Sequence, residues 1–145
     1  KYISQQVKNW KIKTFISTDE DEIEKYYSFC SKALVCSGTA SLEIAKRNIP
    51  QIIIYKFNRV TEFIGKFFVK VKYANLINIH ENKMIIPEIT NSKLNKNTFI
   101  KNFKKLIEDK NSNINQINNV NIALKKFEVQ DPPYQIASNR ILNFL

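Results

Sequence analysis

Histidine occurs once, at His80, and cysteine twice, at Cys30 and Cys36. That supply and that spacing match no zinc pattern, which excludes a cysteine–histidine metal centre. No metal and no organic cofactor is expected. Cys36 falls in an apolar strand pattern and Cys30 on a helical face, so both are expected to be buried thiols in a reducing compartment. Long apolar runs are also missing: none approaches the ~18 residues that a membrane-crossing helix needs. The chain has no initiator Met and no signal-peptide layout, and it opens mid-pattern with Lys1-Tyr2-Ile3. It is therefore expected to be a piece of a longer protein.

Acidic residues are scarce. Thirteen Asp and Glu face 23 Lys and Arg, a formal net charge of +10. Such a balance favours an anionic partner: nucleic acid, anionic lipid or a phosphorylated substrate. Lysine far outnumbers arginine, however, and Asn and Ile abound, the mixture that AT-rich coding produces without any ligand. The lysines are spread along the chain, with no helix-turn-helix, zinc or aromatic-platform signature, so a basic nucleic-acid-binding module is the weaker alternative. What is present is a hydrophobic fraction of 43% in 145 residues, enough for a globular domain with its own core and too much for a disordered chain.

Residues 10–17, Trp-Lys-Ile-Lys-Thr-Phe-Ile-Ser, alternate apolar and polar side chains and are expected to form a strand. Thr18 and Asp19 offer a cap, and Ile23, Tyr26, Tyr27 and Cys30 recur at helical spacing, so 20–31 is expected to be an amphipathic helix. Ala33 to Cys36 reads as a short buried strand. Thr39 to Arg47 reads as a helix with Leu42, Ile44 and Ala45 inward and Asn48 as C-cap. Pro50 launches Gln51 to Tyr55, whose β-branched run suits a parallel strand covered on both faces. The order β-α-β-α-β predicts an α/β fold with a doubly wound parallel sheet.

Further on, 61–72 is a Phe-rich helical pattern with lysines. Tyr73 to Ile79 reads as a strand or extended loop, and Met84 to Glu88 as a brief extended segment. Asn97 is expected to cap a helix from Thr98 to Asp109 with Phe99, Phe103, Leu106 and Ile107 inward. A polar loop then leads to a helix over Asn115 to Phe127. Pro132 and Pro133 separate a terminal helix, Tyr134 to Leu145.

The chemistry concentrates at Ser37-Gly38-Thr39. A strand that ends there, just before a helix, leaves backbone N–H groups pointing at whatever docks, and these donors with the helix dipole favour a phosphate. Gly38 lets the backbone approach without a Cβ in the way. Ligands in parallel sheets sit beyond the carboxyl ends of the strands, where this turn lies. Glu43 follows one helical turn on and is the right residue type to accept from sugar hydroxyls. The combination points to a nucleotide-sugar diphosphate. The competing reading is a plain helix cap at Ser37 and Thr39 and a solvated Glu43 paired with Lys46 or Arg47. Lys56 and Arg59, after the strand that ends at Tyr55, read either as positive charge toward a diphosphate or as solvated surface residues. Phe63, Phe67 and Phe68 with Lys66, Lys70 and Lys72 read either as a membrane-facing surface or as a core helix with a wet side.

From about Lys11 to its end, the chain resembles the C-terminal half of the lipid-A-disaccharide synthase family, glycosyltransferases of the GT-B fold. The resemblance rests on Ala33 to Glu43 (Ala-Leu-Val-Cys-Ser-Gly-Thr-Ala-Ser-Leu-Glu), on Pro50 with the strand into Tyr55-Lys56, and on Thr61 six residues after that tyrosine. It continues through Val69-Lys70, Tyr73, Leu76 and Asn78, where the family has Leu-Pro-Asn, to Pro87-Glu88. Ile77 departs from the family's proline, and Asn91 stands where a glutamine is common.

The resemblance implies a Rossmann-like donor-binding domain over 1–131 and a crossing helix over 132–145. It implies transfer of 2,3-diacylglucosamine from its UDP carrier to 2,3-diacylglucosamine 1-phosphate, with inversion and release of UDP. It implies UDP contacts at Ser37, Gly38, Thr39, Glu43, Tyr55, Lys56, Arg59 and Glu88, and an active-site amide at Asn78. The general base is implied to lie in an N-terminal half absent here, so the isolated piece is expected to bind nucleotide without turnover. The implied location is cytoplasmic, peripheral on the inner face of a Gram-negative inner membrane. Alternatives are another UDP-sugar GT-B transferase, an epimerase, or a scaffold in which an apolar strip of Ile136, Ile141, Leu142 and Leu145 makes a homo-oligomer contact.

Overall fold

The computed structural model describes residues 2–36, 38–56, 72–90, 94–127 and 132–143. It divides into two compact units, Lys1–Cys30 and Ser31–Leu145. The first holds α1 (Tyr2–Val7) and α2 (Glu20–Tyr27), neither of which buries a residue. Asp19 caps α2 by accepting from the Glu22 amide at 2.9 Å, and the acidic first turn Glu20-Asp21-Glu22 suits the positive end of the dipole. The helix stops at Tyr27, short of the expected end at residue 31, because the chain turns through the Phe29 N–H to Tyr26 and Cys30 N–H to Tyr27 bonds. The strand expected over 10–17 is absent. Trp10, Ile12 and Phe15 stay exposed, and Phe15 forms a tilted ring pair with Tyr26 at 5.7 Å. Alternation supplies a pattern but not the neighbouring strand that stabilises it.

The second unit is a three-stranded parallel sheet with helices on both faces. Its elements are β1 (Ala33–Val35), α3 (Gly38–Lys46), β2 (Gln51–Ile54), α4 (Leu76–His80), β3 (Glu88–Ile89), α5 (Lys96–Glu108), α6 (Lys110–Phe127) and α7 (Pro133–Leu142). The strand order is β1-β2-β3, all parallel, with Leu34 beside Ile52 and Ile54 beside Ile89. Side chains alternate along β2. Ile52 and Ile54 face α5, where they pack with Ile89, Leu106, Phe99 and Leu94. Gln51 turns the other way and donates from Nε2 to the Ser41 carbonyl of α3 at 2.9 Å. Ile53 is fully buried, so the expected two-sided cover of this strand is present.

Helix α3 ends in a left-handed Asn48 (φ 57°), with Ile49 N–H bonded to the Ile44 carbonyl and Asn48 N–H to that of Ala45, which is the Schellman arrangement. Gln51, at the start of β2, has no β3 residue beside it. The α6 side chain of Gln116 takes that place, with its Oε1 accepting from the Gln51 N–H at 2.7 Å and its Nε2 donating to the Gln51 carbonyl at 3.0 Å.

Five expectations change here. Tyr73 to Ile79 is not a strand: Asn75 caps α4 by accepting from the Ile77 and Asn78 amides, and a helical turn follows despite the isoleucines. The α5 cap is Asn95, not Asn97, because Asn95 Oδ1 accepts from the Thr98 amide at 2.9 Å. The polar loop before Asn115 is helical from Lys110, since Asp109 Oδ1 accepts from the Ser112 amide and buried Asn113 donates to the Leu106 carbonyl. Cys30 and Cys36 are exposed rather than buried. On α5, Leu106 is buried, while Phe103 and Ile107 reach solvent. On α7, Ile141 and Leu142 are exposed and Ile136 is half-buried. The Phe-rich segment 61–71 and Leu145 lie outside the described residues.

Candidate functional site

The site is built where strand ends meet the start of α3. β1 runs out at exposed Cys36, and α3 begins at Gly38, half-buried, followed by exposed Thr39. β2 runs out at Tyr55, whose N–H is held by the Ile89 carbonyl of β3 at 3.0 Å. This bond fixes the tyrosine beside the neighbouring turn: its hydroxyl lies 3.8 Å from the position a Cβ on Gly38 would occupy. The phenol is pushed above its ordinary pKa by burial first, then by the negative charge of Glu88 and by Cys36. Tyr55 therefore keeps its proton at neutral pH and remains a donor.

Glu43 is exposed on α3, one turn beyond Thr39 and on the same face. Arg47 donates to the Glu43 backbone carbonyl at 2.9 Å. Lys56 is exposed immediately after Tyr55. Ser37 and Arg59 lie outside the described residues.

Asn78 is the residue expected to serve as a donor-side or active-site amide. It is fully buried, and both ends of its side chain are engaged. Nδ2 donates to the Ile86 carbonyl and to Glu88 Oε1, each at 2.7 Å, while Oδ1 accepts from the Ile85 and Ile86 amides at 2.8 and 2.9 Å. Glu88 likewise turns inward. Its Oε2 accepts from the Ala74 amide and its Oε1 from the Asn75 amide, at 2.8 and 2.9 Å. Glu88 thus holds the chain ahead of α4 against β3, and Asn78 holds α4 against the Ile85–Ile86 segment that leads into β3.

Behind α3 lies a polar relay that sequence reading missed. Asn75 Nδ2 donates to Ser41 Oγ at 2.8 Å, and both residues are fully buried. Ser41, Asn75, Gln51 and Gln116 are residue types that propensity assigns to surfaces and turns, so nothing local marks them as interior. The one available signal was Ser41 standing on the inward face of α3 with Ile44 and Ala45.

A family model described as lipid-A-disaccharide synthetase matches residues 2–138. The lipid-A-disaccharide synthase of Rickettsia typhi is 36% identical over 93 residues, which cover 64% of this chain and 24% of that protein. That of Rickettsia prowazekii is 33% identical over 119 residues, 81% of this chain and 31% of the relative. That of Rhodospirillum centenum is 25% identical over 146 residues, 99% of this chain and 36% of the relative. The chain thus spans about a quarter to just over a third of the length of these relatives. No solved structure matches it. With the match extending over nearly the whole chain, the protein belongs to the lipid-A-disaccharide synthase family.

Proposed function

We propose that this chain is the donor-binding part of a glycosyltransferase that moves 2,3-diacylglucosamine from UDP to 2,3-diacylglucosamine 1-phosphate, forming the lipid A disaccharide and releasing UDP. Residues 1–131 act as the Rossmann-like, doubly wound donor domain of a GT-B enzyme and 132–145 as its crossing helix. The observation that carries this reading is the meeting of the α3 N-terminus with the end of β2, Tyr55 beside Gly38, in a chain of this family. The α3 amides, with the Ser37 and Thr39 hydroxyls, receive the diphosphate. Tyr55 donates to it, and Lys56 and Arg59 offset the charge that grows on departing UDP. Glu43 accepts from the ribose hydroxyls. Asn78 and Glu88 serve by holding the α4 approach in place.

The general base belongs to a part of the enzyme not in this chain, so nucleotide binding without turnover is expected of the chain alone. Its lipid substrates favour a place on the cytoplasmic face of the inner membrane; among the described residues no helix is long and apolar enough to cross a bilayer. The exposed Ile141 and Leu142 of α7 favour contact with the enzyme's other domain or a second copy.

Calorimetric titration with UDP tests the reading. Saturable heat in the wild-type chain, weakened in Glu43→Ala and Gly38→Val, is expected. Equal heats in all three would remove the pocket. The net charge of +10 keeps nucleic-acid binding as a second reading. It would be favoured by oligonucleotide binding that falls steeply with salt in a chain that ignores UDP.

A further inference from the structure

We propose that Ser41 and Asn75 form a buried lock that positions the first turn of α3 for its ligand. Ser41 is held from two directions. Its hydroxyl accepts from Asn75 Nδ2 at 2.8 Å, across 34 residues of chain, and its carbonyl accepts from Gln51 Nε2 at 2.9 Å. Ser41, Asn75 and Gln51 are each no more than 1% exposed. Asn75 is itself fixed: its N–H donates to Glu88 Oε1, and its Oδ1 accepts from the Ile77 and Asn78 amides. One side of α3 is thus tied to the sheet through Gln51 and the other to the α4 turn through Asn75. Both ties meet at the fourth residue of the helix, in the turn that begins with half-buried Gly38 and exposed Thr39.

An apolar contact at Ser41 would let the helix slide or roll by a fraction of an ångström. Two directional hydrogen bonds to one residue remove that freedom. A preorganised set of amides binds an anion more tightly than one that must be ordered on binding. Ser41 and Asn75 touch no ligand; they are positioning residues. Their functional role rests on the diphosphate reading above, while the lock itself is tested without ligand.

The variants are Ser41→Ala, which removes the acceptor, and Ser41→Cys, a near-isostere with a weak acceptor, for use if the alanine fails to fold. Ile52→Val is the control, because it loosens the opposite face of the sheet without touching α3. The first readout is amide hydrogen exchange at Leu42 and Glu43, whose N–H groups bond to the Gly38 and Thr39 carbonyls in an α-helix. Both Ser41 variants are expected to speed these two amides by about tenfold relative to Ile53, as expected for one lost hydrogen bond of ordinary worth. Ile52→Val is expected to leave that ratio unchanged.

The second readout is the ratio of UDP to uridine affinity, expected to fall roughly fivefold to tenfold in Ser41→Ala and to hold in Ile52→Val. Unchanged exchange ratios in the Ser41 variants would overturn the lock. Faster exchange with an unchanged affinity ratio would overturn its role in binding. A wild-type chain that binds UDP no better than uridine would overturn the diphosphate reading and that role together, leaving the lock decided by exchange alone.

Discussion

Tyr55 and Gly38 are neighbours across the strand mouths: the tyrosine hydroxyl lies 3.8 Å from where a Cβ on the glycine would stand. Among the described residues no glycine has positive φ, so Gly38 is not required by its backbone angles. A methyl group at 3.8 Å makes ordinary contact, whereas the branched side chain of valine crowds the tyrosine and covers the helix amides. Gly38→Ala is therefore expected to fold with an unchanged urea midpoint and to lose little UDP affinity. Gly38→Val should bind UDP at least about tenfold more weakly, an effect of ~1.4 kcal/mol. Equal losses in the two variants, measured by calorimetry, would contradict the close-approach account.

Glu88 and Asn78 direct their side chains into internal hydrogen bonds, so their variants should show an effect on stability first. Glu88→Ala strands the Ala74 and Asn75 amides and one Asn78 N–H group. A cost of about 2–4 kcal/mol is expected from losing charge-assisted bonds to partly buried donors. Asn78→Ala, which strands the Ile85 and Ile86 amides, should cost a similar amount. Urea unfolding measures both; a loss of UDP affinity at unchanged stability would return Asn78 to the role of a substrate-facing amide.

Gln116 stands in for a missing strand residue by bonding both the N–H and the carbonyl of Gln51. Gln116→Ala leaves a buried donor and a buried acceptor without partners. It is expected to cost about 2–4 kcal/mol in urea unfolding. Gln116→Glu keeps the acceptor but sets a buried carboxylate oxygen against the Gln51 carbonyl, so at neutral pH it should cost at least as much as alanine. A neutral Gln116→Ala would show that α6 is held by its apolar contacts alone.

Glu81 joins the ends of α4 and α6. It accepts from Lys126 at 2.7 and 2.9 Å and bonds His80 Nδ1 at 2.9 Å, while the His80 ring lies 4.4 Å from that of Phe127. Lys126 first, then His80, hold its carboxyl below the ordinary value of 4.5. A carboxylate whose pKa falls on folding stabilises the fold above its unfolded value and loses that contribution as pH falls through the folded one. The urea midpoint of wild type should therefore drop relative to Glu81→Gln as pH falls through and below the usual carboxylate range. The two should run parallel above it. Parallel curves throughout would remove the latch.

The β1–α3–β2 core of the fold was legible because its signals are local. A short apolar strand, a Ser-Gly-Thr turn, an Asn C-cap and a run of isoleucines each act within a few residues. The stretch Trp10 to Ser17 misled because alternation describes a strand's faces and not the partner it needs. Asn75 misled in the opposite sense, since a single cap turned isoleucine-rich sequence into a helix. The exposed part of the candidate site, Thr39, Glu43 and Lys56, could be read from motif and order. Its buried supports could not, because the side chains of Ser41, Asn75 and Gln116 meet partners 34 to 65 positions away in the chain.

The most direct measurement is the backbone amide spectrum of the chain titrated with UDP. The account predicts that the largest saturable shifts fall on Gly38, Thr39 and Ala40, the first residues of α3, whose N–H groups have no intrahelical partner, with weaker ones at Tyr55 and Lys56 and none on α6. Shifts that avoid α3 and spread over the surface lysines, or that vanish with modest salt, would contradict it.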